Sequence, residues 1–297
     1  MKHSHISLLT FKVPSILSTI FLQLKYNIFL KIGGCLFFLL IIIAVFAPFI
    51  APYSVHRIDP NMILVPPVWN DTGSFDYLLG TDYLGRDVLS LLLYGIQLNI
   101  GLAVIIIVVA FICSLLLIPI LIVFNGIILK TVKYIIDIFT IFPAVFIAII
   151  LSFIVGYGFL NVMLSIFLSL IPFFLIRFYN TLMAIFHSKY MNTIQLDGMN
   201  KRTFIYYIFL PQIFLNNSID LLIAYIYIVG DMVTLHFLNL GDSSYVYEFG
   251  TMILQNKMYF NINPYPVLLP TVILFICFFS VFSIMHSVYL SLQEVCY

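Results

Sequence analysis

Three aspartates, Asp137, Asp220 and Asp231, lie within long apolar runs of the sequence. Ionisable side chains are costly at membrane depth, so such acids are expected to face a helix bundle or a water-filled path. Asp220 and Asp231 are eleven residues apart, and at 100° per residue they fall within about 20° of each other on one helix face. Carboxylates along one wall would offset part of the cost of moving a cation out of water. The three acids are therefore candidates for a substrate pathway.

A structural role is the alternative for each acid. Asp220 and Asp231 could bond to neighbouring helix backbones or to a partner subunit, and the sequence does not favour either interpretation. Asp137 lies near the start of its predicted helix, where a carboxylate can cap the first turn or stabilise the helix dipole. That position favours a structural role for Asp137.

The composition defines the elements that must hold these acids. Of 297 residues, 63% are hydrophobic and 8% are charged, whereas soluble domains carry about 25% charged residues. A membrane-spanning helix needs about 20 mostly apolar residues. Six runs reach this length: 29–51, 99–124, 134–155, 159–180, 212–238 and 267–290. They lack the period-two alternation of barrel strands, so the predicted fold class is an all-α polytopic membrane protein with six transmembrane helices.

The basic residues predict the orientation of these helices. With the N-terminus in the cytoplasm, ten of the thirteen Lys and Arg residues fall at cytoplasmic ends or loops, as the positive-inside rule requires. The predicted order is a cytoplasmic segment 1–28, a first helix 29–51 and an outer loop 52–98. A core of five further helices follows in 99–290, and the tail 291–297 returns to the cytoplasm. Pro143 and Pro172 are predicted to kink the third and fourth spans.

Several classes of function are excluded by what the sequence lacks. No Gly-Lys-Ser/Thr loop is present to bind ATP phosphates, and the net charge of +1 gives no basic patch for a nucleic acid. The four cysteines are scattered and form no paired motif, so they are expected to be packing residues. We expect no catalytic residue, no metal site and no cofactor.

A polar, turn-rich segment precedes the second predicted span. Its glycines permit unusual backbone angles, and its Thr and Asp side chains can accept local N–H bonds and start a helix. The residues concerned are Gly80, Thr81, Asp82, Gly85, Arg86 and Asp87. Residues 79–90, followed by Tyr94 and Gly95, resemble the segment that marks the dipeptide and oligopeptide class of ABC transporter permeases. We call residues 79–90 the signature segment.

The resemblance extends over about residues 30 to 290 and is strongest to the Sap type of this class. It includes the stretches 64–69 and 73–75 upstream of the signature, and 237–241, 248–250 and 269–270 downstream. Two positions depart from the family pattern: Phe249 stands where Trp is usual, and Tyr247 where Pro is frequent. The resemblance implies the permease fold of type I ABC importers.

The predicted cytoplasmic loop 181–210 resembles the loop through which such permeases contact their ATPases. Gly198 would allow a turn between two short helices, and Pro211, after Leu210, would open the next helix. Tyr190 and Asp197 also fit the Sap type. The family's Glu-Ala-Ala is replaced by Asn192, Thr193 and Ile194, and Lys189 stands where an acid is common. A loop that only sets topology is the alternative to this ATPase-coupling role.

The resemblance also implies partners and substrates. The expected partners are a homologous SapB-like permease, two SapD- and SapF-like ATPases and a periplasmic substrate-binding protein, all at the bacterial inner membrane. The implied function is uptake of peptides, including antimicrobial peptides, and putrescine export is the alternative within the same family. A stand-alone ion-coupled transporter and a non-transporting assembly subunit are rival hypotheses from other classes.

Overall fold

The computed structural model describes residues 27–123, 127–188, 204–241, 244 and 246–296. Within these ranges every regular secondary-structure element is a helix. The one strand-like pairing there is an isolated antiparallel bridge between Thr81 and Asp87. Most of the predicted segment 1–28 and part of the predicted coupling loop lie outside the described residues.

Ten α-helices are found in the described ranges, and three short helical turns of other types accompany them. The α-helices are α1 (Ile28–Ile50), α2 (Val88–Ile96), α3 (Leu102–Val123), α4 (Ile127–Ile141), α5 (Ala144–Ser152), α6 (Phe159–Phe186), α7 (Leu210–Asn216), α8 (Ser218–Phe237), α9 (Phe249–Asn256) and α10 (Tyr265–Cys296). The other turns are π-helical at Gln97–Gly101 and Ile205–Phe209, and 3₁₀ at Lys257–Tyr259.

Five helical stretches of the described chain are long and apolar enough to cross a membrane. They are Ile28–Ile50, Val88–Ile118, Phe159–Phe186, Ser218–Phe237 and Tyr265–Leu290. The pair α4 and α5 passes the same test jointly but is bent by 87°. The described part of the chain therefore has six candidate spans if this broken pair is one of them.

The second helical stretch begins earlier than the sequence predicts. Asp87 caps α2 by accepting from the Ser90 amide at 2.8 Å, and a π-helical turn at Gln97–Gly101 joins α2 to α3 without a break. The predicted outer loop 52–98 is therefore helical from Val88 onward. Polar residues such as Gln97 and Asn99 shorten the apolar run in the sequence, which placed the predicted start at 99.

The third predicted span is not one helix. Helix α4 ends at Ile141, and Pro143 has an extended backbone with ψ 151° before α5 begins. Proline has no amide hydrogen and disfavours a helical conformation in the residue before it, so the chain turns here. Pro172, in contrast, lies inside the continuous helix α6. The fifth span is also divided, because the backbone at Asn217 separates α7 from α8.

The helices pack around α6 and α8. Helix α10 packs along α1, while α3 packs along α6, and α8 contacts α3, α6, α9 and α10. At the contact between α3 and α6, the Phe111 ring lies 5.5 Å from that of Phe174 and 4.9 Å from that of Phe178, edge to face in both cases. This arrangement places α8 beside α6.

Candidate functional site

The signature segment is a folded unit around a buried ion pair. Asp82 and Arg86 are 0% and 4% exposed, and both Nε and Nη2 of Arg86 lie 2.6 Å from Asp82 Oδ2. The other carboxylate oxygen accepts from the amides of Leu84 and Arg86 at 2.9 and 2.8 Å. A buried charge is tolerated when it is paired and hydrogen-bonded in this way. The ion pair therefore fixes the turn from inside.

Glycine is required at one position of this turn for two reasons. Gly85 has φ +78°, and a Cβ there would lie 2.0 Å from the Asp59 carbonyl oxygen. Thr81 holds the preceding stretch, because its Oγ1 donates to the Met62 carbonyl at 2.5 Å and accepts from the Val65 amide at 2.9 Å. The segment from Asp59 to Asp87 is thus compact.

The signature segment is docked on the segment that connects α8 to α10 and contains α9. Arg86 Nη2 donates to Gln255 Oε1 at 3.1 Å, and the Tyr83 amide donates to Asn256 Oδ1 at 3.3 Å. The Tyr83 ring is stacked on Tyr259, with centroids 5.6 Å apart. These contacts join the two segments into one polar cap at one end of the bundle.

Asn263 adds a second connection within this cap. Its Nδ2 donates to the carbonyls of Val65 and Thr81, at 3.1 and 3.2 Å. Trp69 and Tyr265 form an edge-to-face pair with centroids 5.7 Å apart. The sequence predicted neither connection, because the two partners are nearly 200 residues apart.

Helix α9 attaches the cap to α8 through a buried carboxylate. Glu248 is fully buried and caps α9 by accepting from the Thr251 amide at 2.8 Å. His236, at the end of α8, lies 3.8 Å from Glu248 Oε2. Burial raises the pKa of Glu248 to about 8, although hydrogen bonds from Gly250 and Thr251 act in the opposite direction. Sequence reasoning quoted Glu248 for its resemblance alone and missed its contact with His236.

Close backbone approach holds α9 in place. A Cβ on Gly250 would lie 2.1 Å from the Val233 carbonyl oxygen, and one on Gly95 would lie 2.4 Å from the Phe249 ring. Phe249 is fully buried. The aromatic residue that departs from the family pattern thus fills a space between α2 and α8.

The two aspartates of α8 have different surroundings. Asp220 forms an ion pair with Arg177 of α6, with 2.5 Å between Arg177 Nε and Asp220 Oδ1. Arg177 also donates to the Phe173 carbonyl at 3.2 Å, and its guanidinium carbon lies 3.5 Å from the centre of the Phe173 ring. Asp220 therefore has a counter-ion within the chain. Sequence reasoning counted Arg177 for orientation and missed this pairing.

Asp231 lies on the same helix without such a partner. Its side chain is half-buried, and we find no hydrogen bond or ion pair to its carboxylate from the residues that the structure describes. The neighbouring Gly230 has open space where a Cβ would project. Among the described residues, therefore, one carboxylate of α8 has a counter-ion and the other has none, where the sequence suggested two equivalent ones.

Asp137 does not occupy a helix start. Helix α4 runs from Ile127 to Ile141 and has no acid in its first turn, so the predicted capping role is wrong. The sequence placed the start of this helix near 134, which made Asp137 look N-terminal. Asp137 is half-buried on α4 and is not brought together with Asp220 or Asp231 by any described contact.

The predicted coupling residues are only partly described. Tyr190, Asp197 and Gly198 lie outside the described residues, as do Asn192, Thr193 and Ile194. Leu210 and Pro211 form the first turn of α7, directly after the π-helical turn Ile205–Phe209. Pro211 is exposed. The residues before α7 are already helical, so the helical path of the chain begins upstream of Pro211.

No group of three His, Cys, Asp or Glu side chains that could hold a metal ion is found among the described residues.

Comparisons with known proteins identify the family. Residues 120–291 match the model of the binding-protein-dependent transport system inner membrane component, and residues 15–67 match that of the N-terminal TM domain of oligopeptide transport permease C. The first match covers more than half of the chain. The chain belongs to the binding-protein-dependent inner membrane component family. The family resemblance predicted from the signature segment is confirmed, and so is the all-α polytopic fold class.

Relatives of this inner membrane component are named as permease proteins. It is 28% identical to the peptide transport system permease protein SapC of Haemophilus influenzae over 281 residues, 95% of this chain and 93% of the relative. It is 29% identical to SapC of Salmonella typhimurium over 231 residues, 78% of each chain. It is 29% identical to the di/tripeptide transport system permease protein DppC of Pseudomonas aeruginosa over 233 residues, 77% of this chain and 76% of the relative.

Family membership defines the general role of this inner membrane component. The protein is a multi-pass permease subunit. Its family membership implies an ABC transporter with further permease, ATPase and binding-protein subunits. The cap and the polar residues of α8 are therefore parts of a permease.

Proposed function

We propose that this chain is the permease subunit of a Sap-type ABC transporter that moves peptides across the inner membrane. The observation that carries the proposal is the likeness to a peptide transport permease over 95% of this chain. The buried Asp82–Arg86 pair and its docking on Gln255 support it, because they give the signature segment a defined structural role. Separate ATPase subunits drive the transport.

The expected assembly contains a second, homologous SapB-like permease, two SapD- and SapF-like ATPases and a periplasmic substrate-binding protein. Both termini lie in the cytoplasm, and the cap faces the periplasm. An Asp71→Cys variant tests this orientation, since Asp71 is exposed in the first outer segment. A membrane-impermeant maleimide should label it in spheroplasts without permeabilisation, whereas a Ser188→Cys variant at the end of α6 should require permeabilisation.

The open carboxylate of Asp231 supports a cationic substrate. A charge at membrane depth is costly in lipid, so Asp231 faces protein or a water-filled path. Antimicrobial peptides rich in Lys or Arg and polyamines such as putrescine both carry the charge that would bind there. Putrescine export is therefore the second candidate function, and it shares the same site.

Reconstitution distinguishes these functions. The chain is combined with its partner permease and ATPases in proteoliposomes, and ATP-dependent flux of a lysine-rich peptide and of putrescine is measured in both directions. We expect ATP-dependent peptide uptake that is lost without the ATPases. Outward putrescine flux without peptide flux would favour the export function, and transport that persists without ATPases would favour an ion-coupled transporter.

The coupling role of the loop 181–210 is tested separately. Gly198→Pro should prevent the turn between the two short helices expected in this loop and should reduce both ATPase binding and transport. Co-purification with the partner permease serves as the control for assembly. Normal ATPase docking together with normal transport in this variant would show that the coupling site lies elsewhere.

A further inference from the structure

The open side of α8 carries a row of polar and aromatic side chains, which we call the polar face of α8. Its members are spaced seven, four and three residues apart and are Asp220, Tyr227, Asp231 and Thr234. Tyr227 and Thr234 are exposed, and Asp220 and Asp231 are half-buried. At 1.5 Å rise per residue, the two carboxylates are about 16 Å apart along the helix. A ligand moving along this face would meet them one after the other.

Arg177 forms an ion pair with the carboxylate at one end of the polar face of α8, that of Asp220. It binds Asp220 at 2.5 Å while its guanidinium lies over the Phe173 ring at 3.5 Å. The Phe173 ring in turn meets Tyr227 edge to face, with centroids 6.2 Å apart. A cation between a carboxylate and an aromatic face is bound in the way that proteins bind guanidinium and ammonium ligands. Arg177 therefore fills a cation site that belongs to this face.

The pair is accessible enough to open. The side chains of Arg177 and Asp220 are 29% and 23% exposed in the single chain, so this chain does not enclose either partner. An ion pair that faces an aqueous path is only weakly stabilising, because water competes for each charge. A second cation of similar chemistry can compete with Arg177 on comparable terms.

We propose that Arg177 is a specificity-determining residue that acts as a tethered competitor for cationic substrates at Asp220. With the pair closed, a cation on the polar face of α8 meets one carboxylate, Asp231, beside Tyr227. The second carboxylate becomes available when the cation displaces Arg177. This inference rests on the proposed transport function and specifies the charge of the groups that the path accepts.

The test compares two single variants of the reconstituted complex. Apparent KM values are measured for trilysine and for trialanine, and the ratio of the first to the second is the readout. Arg177→Gln frees Asp220, so the ratio should fall about fivefold, whereas Asp220→Asn leaves Arg177 uncompensated and should raise it about fivefold. A purely structural ion pair predicts changes of the same direction in both variants, which would overturn the proposal.

Arg57→Gln is the matched control. Arg57 also lies over an aromatic ring, 4.4 Å from the centre of the Tyr53 ring, but it is in the first outer segment and not on the polar face of α8. The ratio of apparent KM values, trilysine over trialanine, should be the same in Arg57→Gln as in the parent. In the charge-swapped variant R177D/D220R the ion pair can form with its two charges exchanged. Its KM ratio can be compared with that of the parent where a single variant assembles poorly.

A binding measurement separates failure of this inference from failure of the proposed function. If the parent complex transports neither peptide, the transport proposal fails, and the rise in Tm caused by trilysine still reports on the site. Arg177→Gln should then gain a larger trilysine-dependent rise than the parent and Asp220→Asn a smaller one. Equal rises in all three proteins would show that Arg177 does not compete for cations.

Discussion

Arg86 and Gln255 are 169 residues apart in the sequence, yet Arg86 Nη2 donates to Gln255 Oε1 at 3.1 Å. The same guanidinium group forms the buried pair with Asp82. One side chain therefore holds the turn of the signature segment and also joins it to α9. Because α9 contacts the end of α8 through Glu248 and His236, the cap is attached to the helix that carries Asp220 and Asp231.

Removing the charge of Asp82 should destabilise the cap strongly. Asp82→Asn leaves the buried Arg86 guanidinium without its counter-ion, and breaking a buried pair in this way costs about 3–5 kcal/mol. We expect a large fall in Tm of the detergent-solubilised protein. Asp71→Asn is the control, because this neighbouring acid is exposed and its loss should leave Tm unchanged. Similar Tm values for both variants would show that the buried pair does not hold the cap.

Two adjacent glycines of α1 should respond differently to alanine. A Cβ on Gly33 would lie 2.6 Å from Ser283 Cβ and 2.8 Å from the Ser280 carbonyl oxygen of α10, whereas a Cβ on Gly34 meets nothing within 4 Å. Overpacking of this kind typically costs about 1–3 kcal/mol, while alanine in an open helical position is favourable by up to about 1 kcal/mol. Gly33→Ala should therefore lower Tm, and Gly34→Ala should maintain or raise it. The reverse order would mean that α1 and α10 do not pack through Gly33.

The helical fold could be predicted from the sequence because runs of about 20 apolar residues leave few alternatives in a membrane. The breaks could not be placed as well. Pro143 predicted a kink, but a proline alone does not predict an 87° turn between α4 and α5, which both pack against α6. The start of α2 at Val88 was missed because the spans were placed by hydropathy, and the polar residues Gln97 and Asn99 interrupt the apolar run after Ile96.

The candidate site shows the same division. The turn at Asp82 and Gly85 and the helix N-cap at Asp87 were predictable, since turn glycines and capping acids act on nearby backbone. The pairing of Asp220 with Arg177 was not, because the partners come from two helices whose contact depends on packing. Helical periodicity placed Asp220 and Asp231 on one face, but it gave no information about which of them would be neutralised.

Glu248 should make stability depend on pH. Burial raises its pKa from 4.5 to about 8 in the folded protein, so the folded state keeps a proton that the unfolded state releases between these values. The unfolded state then binds fewer protons, and stability falls as pH rises from about 4.5 to about 8. His236 is the titratable group that faces Glu248, at 3.8 Å.

Glu248→Gln should remove this part of the pH dependence, because glutamine stays neutral and can still accept from the Thr251 amide. We expect Tm of the parent to fall relative to that of the variant between pH 5 and pH 9 in detergent solution. Asp76→Asn, which removes an exposed acid, should behave as the parent does. Parallel Tm curves for the parent and Glu248→Gln would mean that Glu248 is ionised in the folded protein throughout this range.

Asp231 should determine how well the complex accepts cationic peptides. Neutralising a carboxylate that has no partner among the described residues removes an attraction for a passing cation without freeing a buried counter-charge within the chain. Asp231→Asn should therefore raise the ratio of apparent KM values, trilysine over trialanine, by about tenfold, which corresponds to about 1.4 kcal/mol of lost interaction. Thr234→Val alters the same face without changing its charge and should leave the ratio close to that of the parent. An unchanged ratio in Asp231→Asn would place the carboxylate outside the path, where it would serve contact with the partner permease instead.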